Sequence, residues 1–251
     1  MRDEHFLITN KTEKFNTHEY NYKNGGDSMP IKGVIFDMDG LILDTEKLYQ
    51  RFWKEASKQC GYEMPQEIAL KLRSLDNNLA RSLLKDHFGT DYSYDDVKKV
   101  RVKLMADYVN ENGISAKTGV RDLVNYLKEN KYKIAVATAT NYKRANLHLT
   151  LAGVRDCFDS IICACELEHG KPYPDVYLYA CERLGLKPRE CMALEDSPNG
   201  IKAAFAAGCV PVFVPDCKGE EMPREAFAQA QSLLCVRDIL EKIEKLSKGK
   251  E

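Results

Sequence analysis

The chain has 251 residues, 44% hydrophobic and 30% charged, which suits one α/β domain or a core carrying a smaller subdomain. A formal net charge of −1 gives no electrostatic case for nucleic acid or an anionic membrane surface. No apolar run could span a bilayer, no signal-peptide core opens the chain, and nine cysteines without a Cys-x-x-Cys pair suit a reducing cytoplasm, not a disulfide or zinc framework.

Residues 1–29 are polar and without period, which predicts a disordered extension. Two readings stay open for residues 1–28: a genuine flexible tail, or translated sequence ahead of a start at Met29, since Gly25-Gly26-Asp27 can be encoded by a purine-rich ribosome-binding segment. Val34-Ile35-Phe36 then predicts a buried strand that stops at Asp37-Met38-Asp39-Gly40. These two aspartates either cap the next helix or form a site at the strand's carboxyl end, where chemistry sits in parallel α/β sheets. Thr45 reads as the N-cap of a helix carrying Leu48, Phe52, Ala56 and Cys60. Helices are predicted over 66–73, 78–88 and 94–112, the last with a stripe of Val97, Val100, Leu104 and Tyr108. No strand signal lies between Asp44 and Ile114, so residues 44–115 are expected to be an all-helical cap inserted into a core formed by 30–43 and 116–251. The segments 43–45 and 115–119 are its expected hinges.

Beyond Thr118 strands and helices alternate. Strands are expected over 132–137, 160–163, 191–194, 210–214 and 233–236, and helices over 120–130, 142–152, 174–184, 197–207 and 238–246. Ser197-Pro198 looks like an N-cap with proline at the first helical position. The expected fold is therefore α/β: a doubly wound, Rossmann-like parallel sheet covered on both faces, with the helical cap inserted.

Four short motifs recur in a telling order: Asp37-Met38-Asp39-Gly40, Thr138 after the second strand, Gly170-Lys171-Pro172, and Glu195-Asp196-Ser197. On these the chain resembles the haloacid dehalogenase-like phosphohydrolases, in particular the helical-cap branch of small phosphatases and β-phosphoglucomutases. The resemblance implies a Mg2+-dependent phosphatase of small phosphorylated metabolites: sugar, polyol or nucleotide monophosphates. Composition and charge add the expectation of a cytoplasmic protein with neither nucleic acid nor membrane as partner, and a monomer is expected.

A phosphate monoester is a dianion, so its catalyst must neutralise charge, aim a nucleophile and protonate the leaving oxygen. Asp37 is the candidate nucleophile through an aspartyl-phosphate, and Asp39 the candidate general acid/base. Relatives that cleave carbon–halogen bonds or phosphonates lack an aspartate at the position of Asp39, so the resemblance favours phosphate esters. Asp37 and Asp196, with the main-chain carbonyl of Asp39 by resemblance, would hold Mg2+ through hard oxygens. Thr138 and Lys171 are the candidate phosphate contacts, while Glu195 has no assigned role. In the cap, Arg73 and Asn77 are candidates for selecting substrate, against the reading of Arg73 as an ordinary helix-end arginine. Tyr49 stands where the resembling mutases carry a hinge-side histidine, and residues 72–77 do not reproduce their cap loop. Both departures favour hydrolysis over the alternative of a sugar phosphomutase; a catalytically silent regulatory protein is the third reading.

Overall fold

The computed structural model describes residues 6–10, 13–16, 30–216 and 220–248. In chain order the strands are β1 (Phe6–Asn10), β2 (Glu13–Asn16), β3 (Gly33–Phe36), β4 (Lys133–Thr138), β5 (Ser160–Cys163), β6 (Cys191–Glu195), β7 (Val210–Phe213) and β8 (Ala228–Ala230). Strands β8-β7-β6-β3-β4-β5 lie side by side in that order, and every pair among them is parallel. Chain order runs outward from β3 through β4 to β5, then restarts at β6 on the other side of β3. The crevice between the carboxyl ends of β3 and β6 is thus the topological switch point, where α/β sheets bind ligands.

The period of two explains how both faces are covered. Val34 and Phe36, Ile134 and Val136, and Met192 and Leu194 face one layer; it holds helices α5 (Val120–Glu129), α6 (Tyr142–Leu151) and α9 (Val236–Lys248). Ile35, Ala135, Ala137 and Ala193 face the other, made by α7 (Asp175–Leu184) and α8 (Pro198–Ala207). Small residues on this second face let α7 and α8 approach closely, and the buried Cys163, Cys181, Cys191 and Cys209 fill space as small hydrophobes.

Between β3 and α5 the described elements are the helices α1 (Glu46–Gln59), α2 (Gln66–Lys71), α3 (Asn77–Phe88) and α4 (Tyr94–Asn112). They have cores of their own: Trp53, Ala56, Ile68, Leu84 and Val97 in one cluster, Phe52, Met105 and Val109 in another. The buried face of α4 is Val97, Arg101, Met105 and Val109, a rotation away from the expected stripe, whose Val100, Leu104 and Tyr108 are only half-buried. Where the chain enters and leaves this insert, Leu43 bridges Ala116 antiparallel, the Asp44 amide donates to Ser115 O (3.3 Å), and the Lys117 amide donates to Ile42 O (2.8 Å). No described helix is long and apolar enough to cross a membrane.

Three expectations change. Within residues 1–29, expected to be disordered, β1 and β2 pair antiparallel and β2 pairs with β8, covering a sheet edge that would otherwise be open; the rest of that segment lies outside the described residues. Residues 233–236 are not a strand: Leu233–Cys235 is a 3-10 turn running into α9. The strand is instead Ala228–Ala230, whose composition carries no β signal and whose conformation follows from pairing with β7. Thr45 flanks α1 as expected but makes no cap hydrogen bond, because its hydroxyl is engaged elsewhere.

Candidate active site

Parallel register sets the first candidate site residues beside one another. Phe36 pairs with Leu194 and with Val136, so the residues after these positions emerge together: Asp37 from β3, Thr138 from β4, Glu195 and Asp196 from β6. The Asp37 amide donates to Leu194 O at 2.9 Å, extending the ladder to the site itself. Gly40 turns the loop at φ +88°, and a Cβ there would lie 2.1 Å from Asp196 Oδ2; only glycine lets the β3 loop approach that carboxylate. Gly200 acts likewise on the other side, since a Cβ would fall 1.9 Å from the Glu195 carboxyl carbon. Ser197 caps α8 as expected, accepting from the Gly200 amide at 3.1 Å.

Lys171 is fully buried and spans two carboxylates, with Nζ 2.5 Å from Asp37 Oδ1 and 2.6 Å from Glu195 Oε1; it also donates to Ala137 O at 3.0 Å. Burial opposes its charge, but Asp37 and Glu195 outweigh that and raise its pKa above the ordinary lysine value. Glu195 also accepts from the Tyr177 hydroxyl and from Ser197 Oγ (3.3 Å). It therefore anchors Lys171, a role the sequence left open.

Arg73 reaches out of the insert and meets three carboxylates. Its Nη2 donates to Asp196 Oδ2 (2.6 Å) and Asp196 O (2.9 Å), its Nε lies 3.5 Å from Glu46 Oε1, and its Nη1 meets Glu220 Oε1 at 2.5 Å. It is neither a solvated helix-end arginine nor free toward substrate; it ties the loop before α3 to the core. The same loop is held by Asp76, whose amide donates to Lys171 O (2.9 Å) and whose Oδ2 accepts from the Gly170 amide (3.1 Å). Asn77 lies on the wall of the cavity beside these residues, where its Oδ1 accepts from Lys98 Nζ (2.7 Å) and the Tyr94 hydroxyl (3.1 Å).

Asp39 points away from Lys171. Its Oδ1 accepts from Thr45 Oγ1 (2.7 Å) and its Oδ2 from Thr140 Oγ1 (2.9 Å), so its carboxylate is aimed by two hydroxyls, one from the segment after β3 and one from the segment after β4. Thr138 Oγ1 accepts from the Thr140 amide (3.0 Å), which shapes the turn that presents Thr140. Glu46, Thr140, Arg101 and Arg144 also line the cavity of about 340 Å³ with Asp37 and Asp39, and none was singled out from sequence.

The buried carboxylate cluster around Asp37 and Asp196 is short of positive charge. Buried Asp37, Glu46, Glu195 and Asp196 face only Lys171 and Arg73 as buried ion-pair partners, four carboxylates against two cations. Burial, aided by neighbouring carboxylates, pushes Asp37 and Glu46 up to about 8 and Asp196 up to about 7. Asp37 Oδ2 and Asp196 Oδ1 are buried without any hydrogen-bond partner, and Asp37, Glu195 and Asp196 place oxygens within 4.8 Å of one another. Two orphaned carboxylate oxygens and an excess of two negative charges fit a hard divalent cation such as Mg2+.

Residues 31–208 match the haloacid dehalogenase-like hydrolases as a family. Hexitol phosphatase B of Escherichia coli is 30% identical, the match covering 80% of this chain and 91% of that protein. Fructose-1-phosphate phosphatase YqaB of the same organism is 32% identical over 72% of this chain and 95% of its own. Among solved structures, β-phosphoglucomutase from Clostridium difficile superposes with a TM-score of 0.71 at 25% identity, covering 86% of this chain and 98% of that one.

Proposed function

Since the chain belongs to the haloacid dehalogenase-like hydrolases and is a phosphoric monoester hydrolase, we propose that it is a Mg2+-dependent phosphatase of small phosphorylated metabolites acting through an aspartyl-phosphate. The observation that carries the reading is Asp37: buried, locked to Lys171 through one oxygen and unpartnered at the other. Asp37 attacks phosphorus; the P–O bond to the alcohol breaks, and Asp39 gives the leaving oxygen its proton. Asp39 then takes a proton from water, whose oxygen attacks the phosphoaspartate, and the P–O bond to Asp37 breaks to release inorganic phosphate. Lys171 holds Asp37 in place and offsets charge on the transferring group; Thr45 and Thr140 keep Asp39 aimed. Asp37 and Asp196 would hold Mg2+, which would offset the negative charge shared by the nucleophile and the phosphoryl oxygens. Residues 44–115 serve as the cap over this site, with residues 30–43 and 116–251 as the core.

Hydrolysis is favoured over phosphoryl return to a sugar by Tyr49. Its hydroxyl lies 3.4 Å from Thr140 Oγ1, and burial pushes its pKa up to about 12, so it exchanges no proton near neutral pH. Purified protein should release inorganic phosphate from several sugar and polyol monophosphates, measured colorimetrically with and without Mg2+. Interconversion of β-glucose 1-phosphate and glucose 6-phosphate outpacing phosphate release would make the mutase reading the right one.

The raised carboxylates also set a pH dependence. In the metal-free protein, groups raised toward 7 and 8 stabilise the fold below their unfolded pKa near 4, and that stabilisation is lost as pH rises through 7 to 8. Mg2+ binds the ionised forms. The rise in Tm on adding Mg2+ is therefore expected to be larger at pH 8.5 than at pH 6, by differential scanning fluorimetry. An equal or smaller rise at pH 8.5 would refute the assignment of the cation to these carboxylates.

A further inference from the structure

The far wall of the same cavity carries an arginine that nothing yet explains. Arg101 is only 5% exposed, sits on the buried face of α4, and leaves Nε and Nη1 without a hydrogen-bond partner. Its guanidinium is stacked on apolar faces instead, 5.1 Å from the ring centroids of both Tyr49 and Trp53. Arg144 lines the cavity from α6 with a buried, unpartnered Nε, and Lys98 lines it one helical turn before Arg101, tethered to Asn77. No described carboxylate forms an ion pair with Arg101, Arg144 or Lys98. Burial holds both Arg101 and Lys98 below their usual pKa, and Arg144 adds to it by repulsion. Asp39 is the carboxylate that acts on Arg101 from a distance, and its two oxygens are already engaged by Thr45 and Thr140. Burying an arginine without an anion is costly, and the aromatic faces offset only part of that cost.

We propose that Arg101, Arg144 and Lys98 form a subsite for a second anionic group, so that the substrate is a phosphate monoester carrying a further phosphate or carboxylate at its other end. The inference rests on the phosphatase reading for the first phosphate. The three cations sit in the wall of the cavity that Asp37 and Asp39 also line, one on the core helix α6 and two on the insert helix α4, so an anion between them bridges the two parts of the molecule. Arginine suits this because its fork meets phosphate and carboxylate oxygens in pairs.

The test is calorimetric binding to the full-length Asp37→Asn protein, using pairs that differ only in the second charge. Fructose 1,6-bisphosphate is compared with fructose 1-phosphate, and 6-phosphogluconate with sorbitol 6-phosphate; the two pairs separate a second phosphate from a carboxylate. The second anion is expected to tighten Kd by about ten-fold or more in at least one pair, the scale of a charge-assisted hydrogen bond. Adding Arg101→Gln should remove most of that gain; Arg144→Gln, at a half-buried position, serves the same purpose should the Arg101 variant fail to fold by circular dichroism. Equal affinities within each pair, or a gain that survives both substitutions, would overturn the subsite and leave Arg101 as a packing residue between two rings. Monoester turnover without any such preference would leave the phosphatase reading standing alone. Preference in binding with no phosphate release by the unmodified chain from any of the four compounds would remove the phosphatase reading and keep the subsite.

Discussion

Asp37→Asn is expected to lower turnover by roughly a thousand-fold or more, because it removes the proposed nucleophile and no neighbour can replace it. Glu195 and Asp196 are the nearest carboxylates, but Glu195 is committed to Lys171 and Tyr177, and Asp196 to Arg73. The fold should survive. Asparagine keeps an oxygen acceptor for Lys171 and takes one negative charge out of a cluster that already has too many. Burial raises the Asp37 pKa to about 8, so its ionisation weakens the metal-free wild-type fold as pH climbs through that value. The variant lacks this titration. Its metal-free Tm at pH 8.5 should therefore equal or exceed the wild-type value while phosphate release falls to background. Near-normal turnover would remove Asp37 as nucleophile, and with it the two-step mechanism.

Lys171→Met carries the largest expected cost in stability. The ammonium is fully buried and spans Asp37 and Glu195, so an apolar side chain of similar length leaves two buried carboxylates facing each other without a cation. Removing one partner of such a pair costs about 3–5 kcal/mol. Urea unfolding at pH 8 is expected to show a loss of that order against wild type. The deficit should shrink as pH falls, because protonating the carboxylates removes the unpaired charge; the sign follows from their raised pKa values. A loss that is the same at pH 8 and pH 5.5 would mean Lys171 acts through packing and not through charge. Turnover should fall as well, since the nucleophile then lacks its tether.

Much of the site is legible in the chain because its parts sit at strand ends, where short motifs are local and register does the rest. Asp37, Thr138 and Asp196 lie far apart in sequence, yet parallel pairing of β3 with β4 and β6 brings them to one crevice. The helical insert is legible from the absence of any strand signal over seventy residues. What escapes is the chemistry carried on helix faces. The hydrophobic stripe of α4 can be drawn two ways; choosing the more apolar one, through Val100 and Leu104, puts Arg101 outside, whereas the structure buries Arg101 between Val97 and Met105. An arginine at i+4 inside a buried stripe was the available signal. Arg73 is singled out but its tethering role escapes for a different reason: its partners Glu46, Asp196 and Glu220 are contributed by three separate segments, and no local pattern announces them. Strand β8 escapes because Ala228-Gln229-Ala230 has no intrinsic preference that its neighbour β7 does not supply.

The paired crossings at the base of the insert restrict how it can move. Two independent linkers would let four helices tumble relative to the sheet, but here Leu43 and Ala116 are bridged and Asp44 is bonded to Ser115, so the two chains act as a single ribbon. Its lower end is pinned: Lys117 Nζ donates to Gly40 O at 2.7 Å and is ion-paired with Asp216. A ribbon clamped at one end has one soft mode, bending across its thin direction, while twisting and sliding must break its hydrogen bonds. The helices therefore behave as a lever with a fixed fulcrum beside Gly40. Gly40 also packs against the Asp196 oxygen that Arg73 holds, so the Arg73 ion pair sits beside the fulcrum and is displaced least when the insert rotates. Thr45, which holds one oxygen of Asp39, directly follows the bridged ribbon, so it too lies where such a rotation displaces the chain least.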